Sequence, residues 1–334
     1  MKTQFAHSLA EGQKVDTIFA IRSRELRSTR AGEAYLSLEF SDRSGAVAGV
    51  MFRPTRLAES TPSGAVVAVR GVVTSYRGVK RVSVDSMRPS DDYEAADLLP
   101  TGTRDPQEVL SELRGLVRSV RDPFLSRVLR VVFRDKEFLG RFKVTPAARS
   151  AHHAYVGGLL EHTVAVARIC RALAPLYPDL DADLLVTGAL LHDIGKVEEL
   201  TFDTSIDLTE QGRLIGHVVL GERRVQRAIA SIGEDVPEGT AARLSHVLIA
   251  HHGELEWGAP KQPCTLEALV LHHVDNLDAK ATSFNEAVRS AARIDESWTD
   301  ALNLFNRPLY VPRPADDDRG GCDVREEHVL LRGA

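Results

Sequence analysis

Residue types that bind divalent metals recur along the C-terminal two thirds of the chain: His162, His192-Asp193, His217, His251-His252 and Asp275. Imidazole nitrogens and carboxylate oxygens are the usual protein ligands of such ions. The central pair lies in Leu190-Leu191-His192-Asp193-Ile194-Gly195-Lys196. An imidazole followed directly by a carboxylate can give one ligand to one metal and a bridge between two. Paired metals are a device for cleaving phosphate esters, so phosphodiester hydrolysis is the chemistry this set points to. Ten of the twelve histidines fall between His152 and His273, where even scattering would place roughly four.

The elements that must position these residues read as helices. His162 sits among apolar neighbours in the run from Gly158 to Ala167. Its ring would be partly desolvated there, which favours a neutral imidazole and metal binding. Standing alone, it would be an ordinary core histidine. His192 and Asp193 close an apolar helix from Leu184 to Leu191. A carboxylate there is expensive to bury unless paired or metal-bound; a helix N-cap is the plainer alternative. His217 follows Gly216 at a helix start, and His251-His252 follows the apolar run from Leu244 to Ala250. Two imidazoles at a helix end could also simply complement its dipole. Asp275 lies in a mostly apolar helix, with Asp278 as the competing carboxylate.

In the order His, His-Asp, His, His-His, Asp, the set resembles the HD-domain metal-dependent phosphohydrolases, which are all-helical, over about residues 150–290. The stretch His152-His153-Ala154-Tyr155-Val156-Gly157-Gly158-Leu159-Leu160-Glu161-His162-Thr163 is similar to the signature of YhaM-type 3′→5′ exoribonucleases. Gly188 to Lys196, Gly212 to His217 and Ser245 to Gly253 are further similar pieces. The likeness includes a β module ahead of the HD domain and spans about residues 14–310.

That resemblance implies a ligand set. One metal takes His162, His192, Asp193 and Asp275. A second shares Asp193 and takes His217 and His251, with His252 either a ligand or close to the phosphate. Two ions are expected, Mn²⁺ first, with Fe²⁺, Co²⁺, Ni²⁺ and Mg²⁺ as alternatives, since the ligands alone do not choose. A metal-activated water would attack the terminal phosphodiester in line, with Asp193 at the centre. Lys196 is placed to contact the phosphate, its plainer reading being a solvated lysine. His152, His153 or His252 would protonate the leaving 3′-oxygen, with no choice among the three. Attack in this direction releases nucleoside 5′-monophosphates.

The 334 residues allow two domains, and 43% hydrophobic content is ordinary for a soluble globular protein. The net charge of −5 gives no global pull on nucleic acid, so a polyanion must be held by local basic patches or by metal. Cys170, Cys264 and Cys322 are widely spaced with no CxxC pair, so neither a disulfide framework nor a thiolate zinc site is expected, and a reducing cytoplasm fits best. No signal peptide and no membrane span are read.

Period-two runs separated by turn signals begin at Val15, Ala34, Ala46, Ala65 and Lys80. Five short strands fit a small barrel of the OB kind. The expected fold class is therefore α+β and multidomain: a five-stranded OB-like barrel followed by an all-α HD domain. The boundaries expected are an OB-like nucleic-acid-binding domain at 14–90, a linker at 91–106, a helical connector at 107–149, the HD domain at 150–311 and a flexible tail at 312–334.

Such barrels hold single strands by stacking bases on aromatics along a basic groove. Tyr35 and the hairpin residues Tyr76, Arg77, Lys80 and Arg81 are the candidates for nucleic-acid binding, beside Arg53 and Arg56. Phe40 and Phe52 read as barrel core, and Arg22, Arg24, Arg27 and Arg30 as a basic run in a solvated loop. The expected function is a metal-dependent 3′→5′ exoribonuclease on single-stranded RNA, with single-stranded DNA as a further substrate and a homo-oligomer left open. One alternative is an HD phosphodiesterase or nucleotidase acting on a cyclic dinucleotide or a dNTP. Gly253-Glu254-Leu255-Glu256-Trp257-Gly258 stands where a Gly-Tyr-Pro extension would favour cyclic di-GMP. A non-catalytic RNA-binding protein is the other alternative, and the intact ligand set argues against it.

Overall fold

The structure is a computed structural model that describes residues 2–29, 32–76, 78–102, 104–149, 153–233, 236–292, 297–301 and 303–312. Arg30, Arg77, His152 and the expected tail from residue 313 onward lie outside the described residues. The chain divides into two compact units, Met1–Ala279 and Lys280–Ala334.

Five strands open the first unit: β1 (Lys14–Ser28), β2 (Ala34–Asp42), β3 (Gly45–Phe52), β4 (Val66–Tyr76) and β5 (Val79–Pro89). They close in the order β1-β2-β3-β5-β4, and β4 returns to β1. The β3–β5 pairing is parallel and the others are antiparallel. This is the five-stranded barrel expected of the OB class. Alternation builds its interior: Leu36, Leu38 and Phe40 of β2 point inward beside Phe19, Met51 and Val82. Gly71 sits at a register shift in β4, where a Cβ would collide with the Ser83 carbonyl of β5. The short helix α1 (Arg56–Ser60) joins β3 to β4.

Two sequence readings change here. Arg22, Arg24 and Arg27 are not in a loop. They lie in β1, which continues past a bulge at Ile21 and pairs Leu26 with Leu36. Phe52 is not core: it is 49% exposed and packs beside Tyr35, with ring centroids 5.7 Å apart. Val50 and Met51 are both buried, so the alternation slips and the next side chain turns outward.

After α2 (Ala95–Leu98) the unit is almost entirely helical: α3 (Pro106–Ser119), α4 (Pro123–Arg134), α5 (Lys136–Phe142), α6 (Gly158–Leu173), α7 (Ala182–Leu191) and α8 (Lys196–Glu199). A two-stranded ribbon, β6 (Leu200–Thr201) and β7 (Asp207–Leu208), leads into α9 (Glu210–Ile215), α10 (His217–Ile232), α11 (Glu238–Ala250) and α12 (Leu266–Ala292). Aspartates at 105, 122, 135 and 181 cap α3, α4, α5 and α7 by accepting from backbone N–H groups; α3 and α4 also begin with proline. Helix α7 is the central post. Its residues from Leu184 to Leu191 are all buried, so its apolar character runs all round. Gly188 lets α11 approach, because a Cβ there would meet the Val247 side chain. Gly64 of the barrel accepts a bond from the Thr204 hydroxyl at 2.5 Å, and Thr101 bridges Val156.

The second unit holds the end of α12, where Phe284 packs edge-on against Phe305, and a segment in which Trp298 bridges Tyr310. Among the described residues, no helix is long and apolar enough to cross a membrane.

Candidate metal centre

Five helices aim side chains at one point. His162 projects from α6, and His192 and Asp193 follow the last turn of α7. His217 is the first residue of α10, and His251-His252 ends α11. Asp275 and Asp278 stand one turn apart on α12. Each placement has a local cause. Gly195 lets the chain after Asp193 pass under α10, for a Cβ there would strike the His217 carbonyl and the Gly221 N–H. Gly253, at φ 77°, turns the chain after His252 where a Cβ would enter the His272 ring.

All five imidazoles are held the same way. The Nδ1 of His192 faces the Ala189 carbonyl at 2.9 Å, that of His251 the Leu248 carbonyl at 2.6 Å, and that of His252 the Trp257 carbonyl at 2.9 Å. His162 and His217 turn Nδ1 to carboxylates, Asp278 at 2.8 Å and Glu199 at 2.9 Å. Carbonyls and ionised carboxylates only accept, so Nδ1 carries a proton and Nε2 is turned inward. This is how metal-binding histidines are oriented.

The inward atoms crowd together. His162 Nε2 lies 3.2 Å from His192 Nε2 and 3.1 Å from Asp275 Oδ1. Asp193 Oδ2 is 3.4 Å from both ring nitrogens. On the other side, His217 Nε2 and His252 Nε2 are 3.2 Å apart, and Asp193 Oδ1 is 3.5 Å from His217 and 3.8 Å from His251. Thus the two oxygens of Asp193 face two different ligand groups.

These residues fit divalent cations. With bonds of about 2.1 Å, neighbouring ligands of an octahedron sit about 3.0 Å apart, close to the spacing here. Lone pairs facing one another at such distances repel unless a proton or cation lies between them. Asp193 Oδ1 and His251 Nε2 are buried polar atoms with no hydrogen-bond partner, which is costly without a ligand. The donor set is nitrogen and oxygen. Cys170 is not in it: burial pushes its thiol up to about 12.

The electrostatics agree. Burial, reinforced by His252 and His192, holds His251 well below the ordinary imidazole value, so its ring is neutral. Burial, with His217 beside it, also lowers His252. Burial opposes charge on Asp193, but Lys196 and His192 outweigh it and keep the carboxyl well below the usual range. Asp275 is likewise lowered against burial, chiefly by His162. At His162 burial favours the neutral ring, yet Asp193, Asp275 and Asp278 outweigh it and raise the value well above normal. A field that holds a proton so firmly equally favours a cation.

The remaining expected residues divide. Lys196 donates to Asp193 Oδ2 at 2.6 Å and is raised, burial being outweighed by Asp193. It is tied to the carboxylate shared by the two groups, not left in solvent. Both ring nitrogens of His153 are engaged, one by the Tyr155 hydroxyl at 2.8 Å and one by Asp278 at 3.1 Å. Tyr155 in turn donates to Glu161 at 2.8 Å. Asp193 does not cap a helix; Gly195 occupies that position of α8. On the barrel, Arg81 lies over the Tyr76 ring at 4.5 Å, Lys80 donates to the Leu9 carbonyl at 3.2 Å, and Tyr35 pairs with Phe52. Sequence reading missed Glu199 as the partner of His217. Asp278 it had weighed against Asp275, and both carboxylates reach His162, on opposite ring nitrogens.

A family model of the HD domain matches residues 159–280. The chain is 32% identical to the 3′-5′ exoribonuclease YhaM of Bacillus velezensis over 305 residues, covering 90% of this chain and 96% of that protein. The YhaM exoribonuclease of Bacillus subtilis gives the same identity and coverage. That of Listeria monocytogenes is 30% identical over 305 residues, again 90% and 96% of the two chains.

Proposed function

Since this chain belongs to the YhaM family of 3′-5′ exoribonucleases, we propose that it removes nucleotides one at a time from the 3′ end of single-stranded RNA. The reading extends to single-stranded DNA. The observation that carries it is the split carboxylate of Asp193, with each oxygen turned to its own group of imidazole nitrogens. Two divalent ions fit: one among His162, His192, Asp193 and Asp275, the other among Asp193, His217, His251 and His252. Mn²⁺ is the first choice for a nitrogen and oxygen set. When bound, such ions lower the pKa of water and neutralise charge developing on the phosphoryl oxygens.

The chain's own groups do the rest. Asp193 lies between the two ligand groups and Lys196 fixes its orientation. Asp278 and Glu199 hold the rings of His162 and His217 with Nε2 inward. His252 keeps its proton at Nδ1 on a carbonyl and, with His217, is one of the two imidazoles of the set that are not fully buried, which suits it to meet the phosphate. With both nitrogens engaged, His153 acts by positioning Asp278 and not as the acid. Tyr35, Tyr76, Lys80 and Arg81 belong to the barrel's proposed grip on RNA, and the exposed Phe52 joins Tyr35 in it.

The test uses metal-stripped protein, restored with Mn²⁺, on a 5′-labelled single-stranded RNA with a free or a blocked 3′ end. The free end should yield a shortening ladder and 5′-monophosphates, lost with a blocked end and with Asp193→Ala. RNA left intact by protein that has taken up Mn²⁺ would refute the exoribonuclease reading.

A further inference from the structure

Burial of the five imidazoles is uneven. The side chains of His162, His192 and His251 are 0% exposed, whereas His217 is 13% exposed and His252 is also partly open. Among the imidazoles the open edge is therefore the His217–His252 edge, and on the carboxylate side Asp275, 19% exposed, also meets solvent.

Trp257 stands at the His217–His252 edge. Its carbonyl accepts from His252 Nδ1 at 2.9 Å, so the turn carrying Trp257 is tied to the imidazole. Three backbone bonds hold the turn: Glu254 N–H bonds the His252 carbonyl at 2.9 Å, Trp257 N–H the Glu254 carbonyl at 3.1 Å, and Ala259 N–H the same carbonyl at 3.2 Å. Gly253 and Gly258 take the left-handed conformation that closes it. The indole packs against His272 at 5.8 Å between centroids, and His272 in turn bonds the His251 carbonyl at 3.0 Å. Yet Trp257 remains 54% exposed. An indole packed on His272 yet half in water, on the turn bonded to His252, offers its exposed surface to a flat apolar ring.

We infer that Trp257 is a nucleobase-binding subsite, on which the base of the terminal nucleotide stacks while its phosphate lies at the metal centre. This rests on the proposed reading for the polymer, but by itself requires only a nucleotide. Every base has a π-face, so the subsite takes all four bases, purines best. It adds a handle on the nucleotide being removed, separate from any grip by the barrel.

The chain has two tryptophans, so Trp298→Phe leaves Trp257 as the sole indole emitter. That protein is titrated in Mg²⁺ with AMP and with ribose 5-phosphate, which carries the phosphate without a base. AMP should quench the emission and bind about tenfold more tightly. In Trp257→Ala the two should compete equally against hydrolysis of bis(p-nitrophenyl) phosphate, and Trp257→Phe should restore most of the gap. Equal affinities in the Trp298→Phe protein, or an unmoved emission on AMP binding, would overturn the subsite. If RNA stays intact while AMP quenches selectively, the exoribonuclease reading falls and the subsite stands. If RNA is shortened but the two ligands bind alike, the subsite falls alone.

Discussion

At the scale of single residues, the centre depends on atoms that never touch an ion. Asp278 Oδ2 holds Nδ1 of His162 at 2.8 Å and a nitrogen of His153 at 3.1 Å, one carboxylate steering two rings. Asp278→Asn should therefore weaken metal affinity about 10- to 100-fold while leaving the fold intact, read by Mn²⁺ titration beside a melting curve. Unchanged affinity would deny it that role. The proton on His162 makes a second case. In metal-free protein the three carboxylates hold it well above the ordinary imidazole value, and a cation needs the Nε2 it occupies. Proton and metal compete, so affinity should rise with pH until the ring deprotonates, and fall with acidification. Calorimetry in buffers of different ionisation enthalpy should find about one proton released per ion at that site near neutral pH. These partners were only partly legible beforehand. The ligands stood out because five histidines and two aspartates recurred in one order. Glu199 had no such signal, because its role comes from α8 folding back beneath α10.

At the scale of elements, glycine contacts set the distances between helices. Gly195 is packed so closely on the start of α10 that an added Cβ meets backbone atoms of His217 and Gly221, which cannot rotate away. Gly195→Ala should cost about 1–3 kcal/mol and draw His217 away from Asp193. The expected result is a lower melting temperature with weaker binding of the second ion and near-normal binding of the first. Strand alternation was readable in β2, where every second residue points inward. It misled at β3, since Val50 and Met51 are consecutive buried residues and Phe52 consequently faces water. The arginines of β1 looked like a loop because that half of the strand, past its bulge, has exposed residues on both faces. Helix α7 was clear, being apolar for its whole buried length.

At the scale of the molecule, barrel and helical centre are complementary parts of one proposed path. The net charge of −5 leaves capture of RNA to local features: the Tyr35–Phe52 pair, and Arg81 over Tyr76. Replacing Tyr35 and Phe52 together by alanine should raise KM for long RNA, with about 1–3 kcal/mol lost per base unstacked, and leave kcat on a dinucleotide unchanged. An equal loss on the dinucleotide would move the grip to the centre itself. The central claim is that Asp193 joins two metal positions. Its most direct measurement is the anomalous scattering of Mn²⁺ from crystals of the full chain at neutral pH. Two peaks about 3.5–4 Å apart, one on each side of Asp193, are expected. In crystals of Asp193→Ala both should weaken or vanish. A single peak lying away from Asp193, or two peaks unaffected by its removal, would contradict the account.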